Sequence, residues 1–153
     1  MSEIQIRRAT ETDLPAAAEL RWQWLLELDQ RPQGSREDYV AYLTTWARSA
    51  PGHECFLAAR GDAVIGMAWL AITDRVPSAA AFDRRSGDLQ SVYVLAAERH
   101  HGVGGQLVHA VVTRAAELGL EHLTVHARAL AIDLYQRHGF AMQPRLMLLK
   151  PGG

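Results

Sequence analysis

Ile4 and Ile6 alternate with polar neighbours in EIQIRR, the two-residue period of a short strand. The period then lengthens. Leu14, Ala18, Trp22, Leu25 and Leu28 mark one helical face, behind Thr10 and Asp13, which form a capping-box pattern, and Pro15, which a first helical turn tolerates. DQRPQG stops this helix, Ser35 with Asp38 repeats the capping signal ahead of Tyr39, Leu43 and Trp46, and SAPG closes the second helix. ECFLAA, the turn RGD and AVIGMAWLAIT predict two strands of a hairpin. DRVPSAAAFDRRSG reads as a loop and DLQSVYVL as a further strand. After AAERHHG, a helix carries Val103, Leu107, Val111, Ala115 and Leu118 on one side and ends before Gly119. EHLTVHA is another strand, ALAIDLYQRH a short helix closed by Gly139, and RLMLLK a last strand.

The resulting order, β-α-α-β-β-β-α-β-α-β, is that of a mixed α/β (α+β) domain with a strand–helix–strand unit in its second half. That unit should be parallel and right-handed. No repeat, low-complexity tract or linker divides the chain, so residues 1–153 are expected to form one domain. Formal net charge is −1, which offers no global field to recruit nucleic acid or an anionic membrane, so any anion must be held by a local site. Cys55 is the only cysteine, excluding an internal disulfide; it reads as a small core residue, and a reducing cytoplasm is the expected compartment. No apolar run is long enough to span a bilayer.

One stretch asks for a chemical explanation. ERHHGVGGQLV, Glu98 to Val108, sets an arginine, two histidines and three glycines before a helix start that needs only one capping side chain. The first N–H groups of a helix have no partner within it, and the helix dipole adds positive potential there. Gly102, Gly104 and Gly105 let backbone approach a phosphate without a Cβ in the way, and Arg99 adds a permanent charge. The dinucleotide fingerprint fails, because Leu107 stands where its third glycine belongs. A P-loop fails too, for want of Gly-Lys followed by Ser or Thr. His100 and His101 do not indicate a metal, since no third ligand follows at recognisable spacing, and no metal is expected.

The spacing R-x-x-G-x-G in YVLAAERHHGVGGQLV resembles the pyrophosphate-binding segment of the GNAT superfamily of N-acetyltransferases. IRRATETDLPAAAEL resembles the first strand and helix of that family, VIGMAWLAI its third strand, and LTVHARALAIDLYQRHGF its late strand and helix with L-Y-x-x-x-G-F. The resemblance covers essentially the whole chain. It implies an acetyl-CoA-dependent N-acetyltransferase in which the backbone of His100, His101, Gly102, Val103, Gly104 and Gly105 surrounds the pyrophosphate. Arg99 would order that loop, and Val92, Tyr93 and Val94 would run beside the pantetheine arm, with a backbone N–H near Val94 polarising the thioester carbonyl. Many members carry an asparagine between the late strand and helix, whereas HARALA has none.

Tyr135 matches the family's frequent general-acid tyrosine. A phenol, with a reference pKa of about 10, can protonate a departing thiolate. An acceptor resembling lysine, pKa about 10.4, is mostly protonated near neutrality, so a route for proton removal is needed. Asp88, where many relatives carry an acid, and His126, on the face of Thr124 in LTVHA, are the two relay candidates. The N-terminal helices and their connector cover the acceptor side in the family, which makes Trp24, Glu27, Asp29 and Arg31 candidates for shaping the acceptor pocket. The expectation is direct attack by a primary amine of a small molecule or peptide in a ternary complex. No nucleic acid or membrane partner is expected, and family habit makes a homodimer plausible. The rival reading is a non-catalytic acyl-CoA-binding module.

Overall fold

The structure, a computed structural model, describes residues 3–152. Strand β1 (Ile4–Arg8) leads through a short 3-10 turn into α1 (Leu14–Glu27), followed by α2 (Arg36–Arg48). Three strands come next: β2 (His53–Arg60), β3 (Ala63–Arg75) and β4 (Arg84–Val94). Helix α3 (Val103–Glu117), β5 (Leu123–Val125) and α4 (Ile132–Arg137) complete the order. The sheet runs β1-β2-β3-β4-β5, antiparallel except for the β4–β5 pair, which is parallel and joined through α3, the crossover a parallel pair needs.

Both faces of the sheet are covered. On one, Leu14, Ala17 and Leu20 of α1 pack on Cys55, Leu57, Met67, Trp69 and Tyr93. On the other, Val103, Leu107, Val108 and Val111 of α3 and Tyr135 of α4 pack on Phe56, Ala58, Ile65, Ala68, Leu70 and Leu89. The alternation along β2 and β3 therefore divides the apolar residues between two cores, so these strands read as nearly continuous apolar runs. Cys55 is buried as expected of a core residue, and burial pushes its thiol up to about 12. Buried Glu54 of β2 accepts from Arg114 of α3 at 2.8 and 3.1 Å and pairs with Arg8, tying helix to sheet.

The capping signals hold. Ser35 Oγ accepts from Asp38 N–H at 3.1 Å. Asp13 accepts from Thr10 N–H at 2.7 Å and from the Arg7 guanidinium at 2.6 and 3.0 Å.

Two expectations need correction. The loop DRVPSAAAFDRRSG is shorter than its composition suggests, because Arg84–Gly87 pair with Ile72–Arg75 and extend the hairpin at both ends. Polar residues at strand ends are held there by ladder bonds rather than by burial. The final strand RLMLLK does not form: no strand follows Val125 among the described residues, and Leu146–Leu149 are at least 71% exposed. A strand needs a neighbouring edge, and β5, only three residues long, presents little of one.

Arg7, followed by the Thr10 backbone N–H, holds the Asp13 carboxyl below the ordinary carboxylate range. A depressed acid stabilises the fold above its unfolded pKa, and that contribution is lost as pH falls through the folded value. Asp13→Asn should therefore cost about 1 kcal/mol near neutrality. Urea unfolding of variant and wild type should converge in strong acid; a difference that persists there would contradict this account.

Candidate active site

A split in the sheet positions the site. β4 and β5 pair only from Gly87 with Leu123 to Leu89 with Val125. Immediately beyond, β4 carries a bulge: Trp69 pairs with Gln90 and Met67 with Tyr93, so Ser91 and Val92 together face Ala68. Ser91 takes φ 55°, a left-handed conformation rare for a residue with a side chain. The bulge turns β4 away while the chain after Val125 departs toward α4. The Leu95 N–H donates to the Ile65 carbonyl on β3. By strand alternation, Val94 therefore presents its own N–H and C=O to the split side. There its carbonyl accepts from Arg99 Nε at 2.9 Å.

The cleft so formed has a volume of about 460 Å3. Val92, Tyr93 and Val94 line one wall, His126, Arg128 and Tyr135 the other, and Trp24 and Glu27 of α1 stand across it. Tyr135 is 8% exposed, packs edge-on against Phe140 with ring centres 5.6 Å apart, and has its hydroxyl pKa raised by burial. It therefore keeps its proton throughout the neutral range. Asp88 does not line the cleft. Its carboxylate accepts from the Thr124 hydroxyl at 2.7 Å and the Gln90 amide at 3.0 Å. His126 is exposed and does line it.

The glycine loop enters α3 through Gly102 at φ 81°, with His100 also left-handed at φ 67°. Gly102, the N-cap, supplies no side-chain bond, and the first helical bond runs from Gln106 N–H to the Gly102 carbonyl. Among the described residues, no backbone acceptor meets the N–H groups of His100 to Gly105. A Cβ at Gly104 would come no closer than 3.8 Å to any protein atom, so the fold itself does not demand a glycine there. Free donors and a bare backbone are what an anion needs. His100 and His101 are both exposed, and neither lines a described cavity.

One network escaped sequence reasoning. The Tyr93 hydroxyl donates to Glu27, whose other oxygen accepts from Arg99 at 2.6 Å. Trp24 stacks on Tyr93 with ring centres 5.5 Å apart, and the Arg99 guanidinium lies 5.5 Å from the Tyr93 ring centre. Burial, reinforced by Glu27, pushes Tyr93 up to about 12. The Tyr93 hydrogen bond and then Arg99 hold Glu27 below its ordinary value, so it is a carboxylate at neutral pH. Arg99 thus spans from the loop to α1 across the mouth of the cleft. Of the four α1-side candidates, Trp24 and Glu27 line the cleft; Asp29 and Arg31 do not. Residues separated by 66 and 72 positions carry no local signal of this pairing.

Residues 17–140 match the model of the acetyltransferase (GNAT) family. The chain belongs to that family. No curated protein matches it at a comparable level. Solved structures show the same fold at low identity. A predicted acetyltransferase from Clostridium acetobutylicum with acetyl-CoA is 19% identical, with a TM-score of 0.76 over 97% of this chain and 96% of that one. Glucosamine-6-phosphate N-acetyltransferase from Arabidopsis thaliana is 12% identical, with a TM-score of 0.74 over 97% and 98%. An aminoglycoside N-acetyltransferase in complex with CoA is 20% identical, with a TM-score of 0.75 over 100% and 97%. The acetyl donor of the GNAT family is acetyl-CoA, and the split strand edge with its uncapped glycine loop fits an extended amide chain ending in a pyrophosphate.

Replacing Glu27 by Gln removes the charge that reinforces Tyr93 but not the burial. Tyrosinate absorbance should show Tyr93 ionising at lower pH than in the wild type while staying above the ordinary tyrosine value. An unchanged titration would show that the Glu27 contact does not hold in solution.

Proposed function

We propose that this GNAT acetyltransferase acetylates a primary amine of a small molecule or peptide by direct attack in a ternary complex. The observation that carries the reading is the position of Tyr135: a buried, neutral phenol on the wall of the cleft opposite the free edge of Val92–Val94. Bound acetyl-CoA supplies the acetyl group as a thioester. The backbone of Val92, Tyr93 and Val94 would pair with its pantetheine arm, and the loop N–H groups from His100 to Gly105 would take the pyrophosphate. The Val94 N–H, on the split side, would polarise the thioester carbonyl. Tyr135 gives its proton to sulfur as the nitrogen–carbon bond forms and the carbon–sulfur bond breaks with its electron pair on sulfur.

The proton leaving the amine needs an acceptor. His126, exposed on the cleft wall, is the relay residue in direct reach of the cleft; Asp88 would act through the Thr124 hydroxyl that it holds. Arg99 anchors the start of the loop by binding Val94 and Glu27. A covalent enzyme intermediate is not part of this scheme, since Cys55 is buried with its thiol raised to about 12.

A second copy of the chain is the partner we propose for Leu146–Leu149, an apolar run too exposed to be left in water without cost. Sedimentation that shows a monomer at all concentrations would refute it.

Tyr135→Phe should lower kcat by roughly 10²-fold or more, as loss of a general acid does. Acetyl-CoA affinity, read by calorimetry, should stay within about twofold, because the hydroxyl serves the leaving thiol rather than the cofactor's handle. Turnover equal to wild type would remove Tyr135 from the mechanism. Acetyl-CoA binding without turnover of any amine would favour a regulatory acyl-CoA-binding module.

A further inference from the structure

Next to the cleft lies a larger cavity of about 830 Å3, between α1, the connector that follows it, and α2. Trp24, Leu28 and Arg128 line both spaces, so the two meet at the Trp24–Arg128 pair. The walls of the larger cavity are aromatic: Trp22, Trp24, Tyr39 and Tyr42. Its charged lining consists of Arg21, Arg128 and Asp38. Polycationic acceptors need a wall of carboxylates, and one acid against two arginines is the opposite sign.

The two arginines share one aromatic neighbour. Arg7, Arg84, Arg99 and Arg114 each sit against a carboxylate. Among the described ion pairs, Arg21 and Arg128 meet none. Both instead lie over Trp24, with guanidinium carbons 4.8 and 5.5 Å from its ring centre. Arg21 also bonds the Tyr39 hydroxyl, so Arg128 is the one of the two whose N–H edge meets no described partner. A guanidinium over an aromatic ring offers that edge to a planar anion, and carboxylate is its best geometric match. Arg128 stands where the cavity meets the cleft, and Arg21 lines the larger cavity beside it. An anionic group bound by Arg128 would sit in a wall common to both spaces, with the rest of the acceptor along the aromatic wall.

We propose that the acetyl acceptor is an α-amino acid with an aromatic or bulky apolar side chain, its carboxylate held by Arg128 beside Trp24 and its amine directed into the cleft. The assignment rests on the acetyl-transfer reading above and adds the acceptor class. In an α-amino acid, amine and carboxylate share one carbon, which suits an anchor, Arg128, that itself lines the cleft. The side chain enters the cavity between Trp22, Tyr39 and Tyr42. The reaction forms the amide nitrogen–carbon bond, releases the thiol with the Tyr135 proton and sheds the amine proton through the His126 side of the cleft.

The test compares phenylalanine and tryptophan with phenethylamine and tryptamine, which lack only the carboxylate, and with spermidine. Binding is read by calorimetry on the full chain saturated with CoA, and turnover by thiol release from acetyl-CoA. The amino acids should bind about 10–100-fold more tightly than their decarboxylated counterparts, the usual worth of a charge-assisted pair. Arg128→Gln should erase most of that preference with little effect on the affinity for phenethylamine, whereas Arg145→Gln, remote from both cavities, should preserve it. Equal or tighter binding of the amines or of spermidine would overturn the proposal, as would no binding of either amino acid to a protein that does bind CoA. Failure to bind CoA itself would instead overturn the acetyl-transfer reading.

Discussion

A sheet is held together by the continuity of its ladder, and this molecule depends on the place where the ladder stops. β4 and β5 share three paired positions and then separate, because a bulge at Ser91–Val92 turns one strand while the other ends at Val125. Among the described residues, no backbone partner takes over the donors and acceptors released there, and the Val94 carbonyl is bound by Arg99. Left in a closed core they would cost too much; at an open cleft they stay within reach of solvent or a ligand. The left-handed φ at Ser91 is tolerable because the surrounding ladder over-determines it, as strain at functional sites commonly is.

The cleft keeps its shape through contacts made at long range. Glu27 closes α1 over the split by taking the Tyr93 hydroxyl and the Arg99 guanidinium together. Arg99 in turn binds the Val94 carbonyl, so helix, strand and glycine loop share one ionic joint. Charge and burial reinforce one another here. The carboxylate stays ionised and Tyr93 stays neutral, which holds both in a single hydrogen-bonding state through the neutral range. On the opposite wall, Tyr135 is kept neutral by burial alone, and its position on α4 is set by packing against Phe140.

The two cavities meet at one aromatic residue. Trp24 stacks on Tyr93 on the cleft side and carries Arg21 and Arg128 near its ring, so it is both wall and platform. Its place on α1 comes from a helix whose small residues, Ala17 and Ala18, let it lie close against the sheet. The cavity between α1 and α2 beside the cleft is aromatic and lined by two arginines against one acid.

Much of this was legible in the chain itself. Period and capping residues defined α1, α2, α3 and the central hairpin, since local backbone satisfaction and a single buried face are encoded within a few residues. The glycine loop was legible for the same reason: Gly102 needs a conformation that side chains resist, and uncapped N–H groups follow from local order alone. Tyr135 was found through a motif, while its burial came only with the packing of α4. Other features were invisible. RLMLLK has the composition of a strand, but a strand exists only beside a partner edge, and the fold provides none there. Ser91 carries no sign of a bulge, because its strain is imposed by the strands around it. The Glu27–Tyr93–Arg99 joint and the pair of arginines over Trp24 join residues from distant parts of the chain. Such contacts depend on how helices sit on the sheet, so tertiary structure alone decided them.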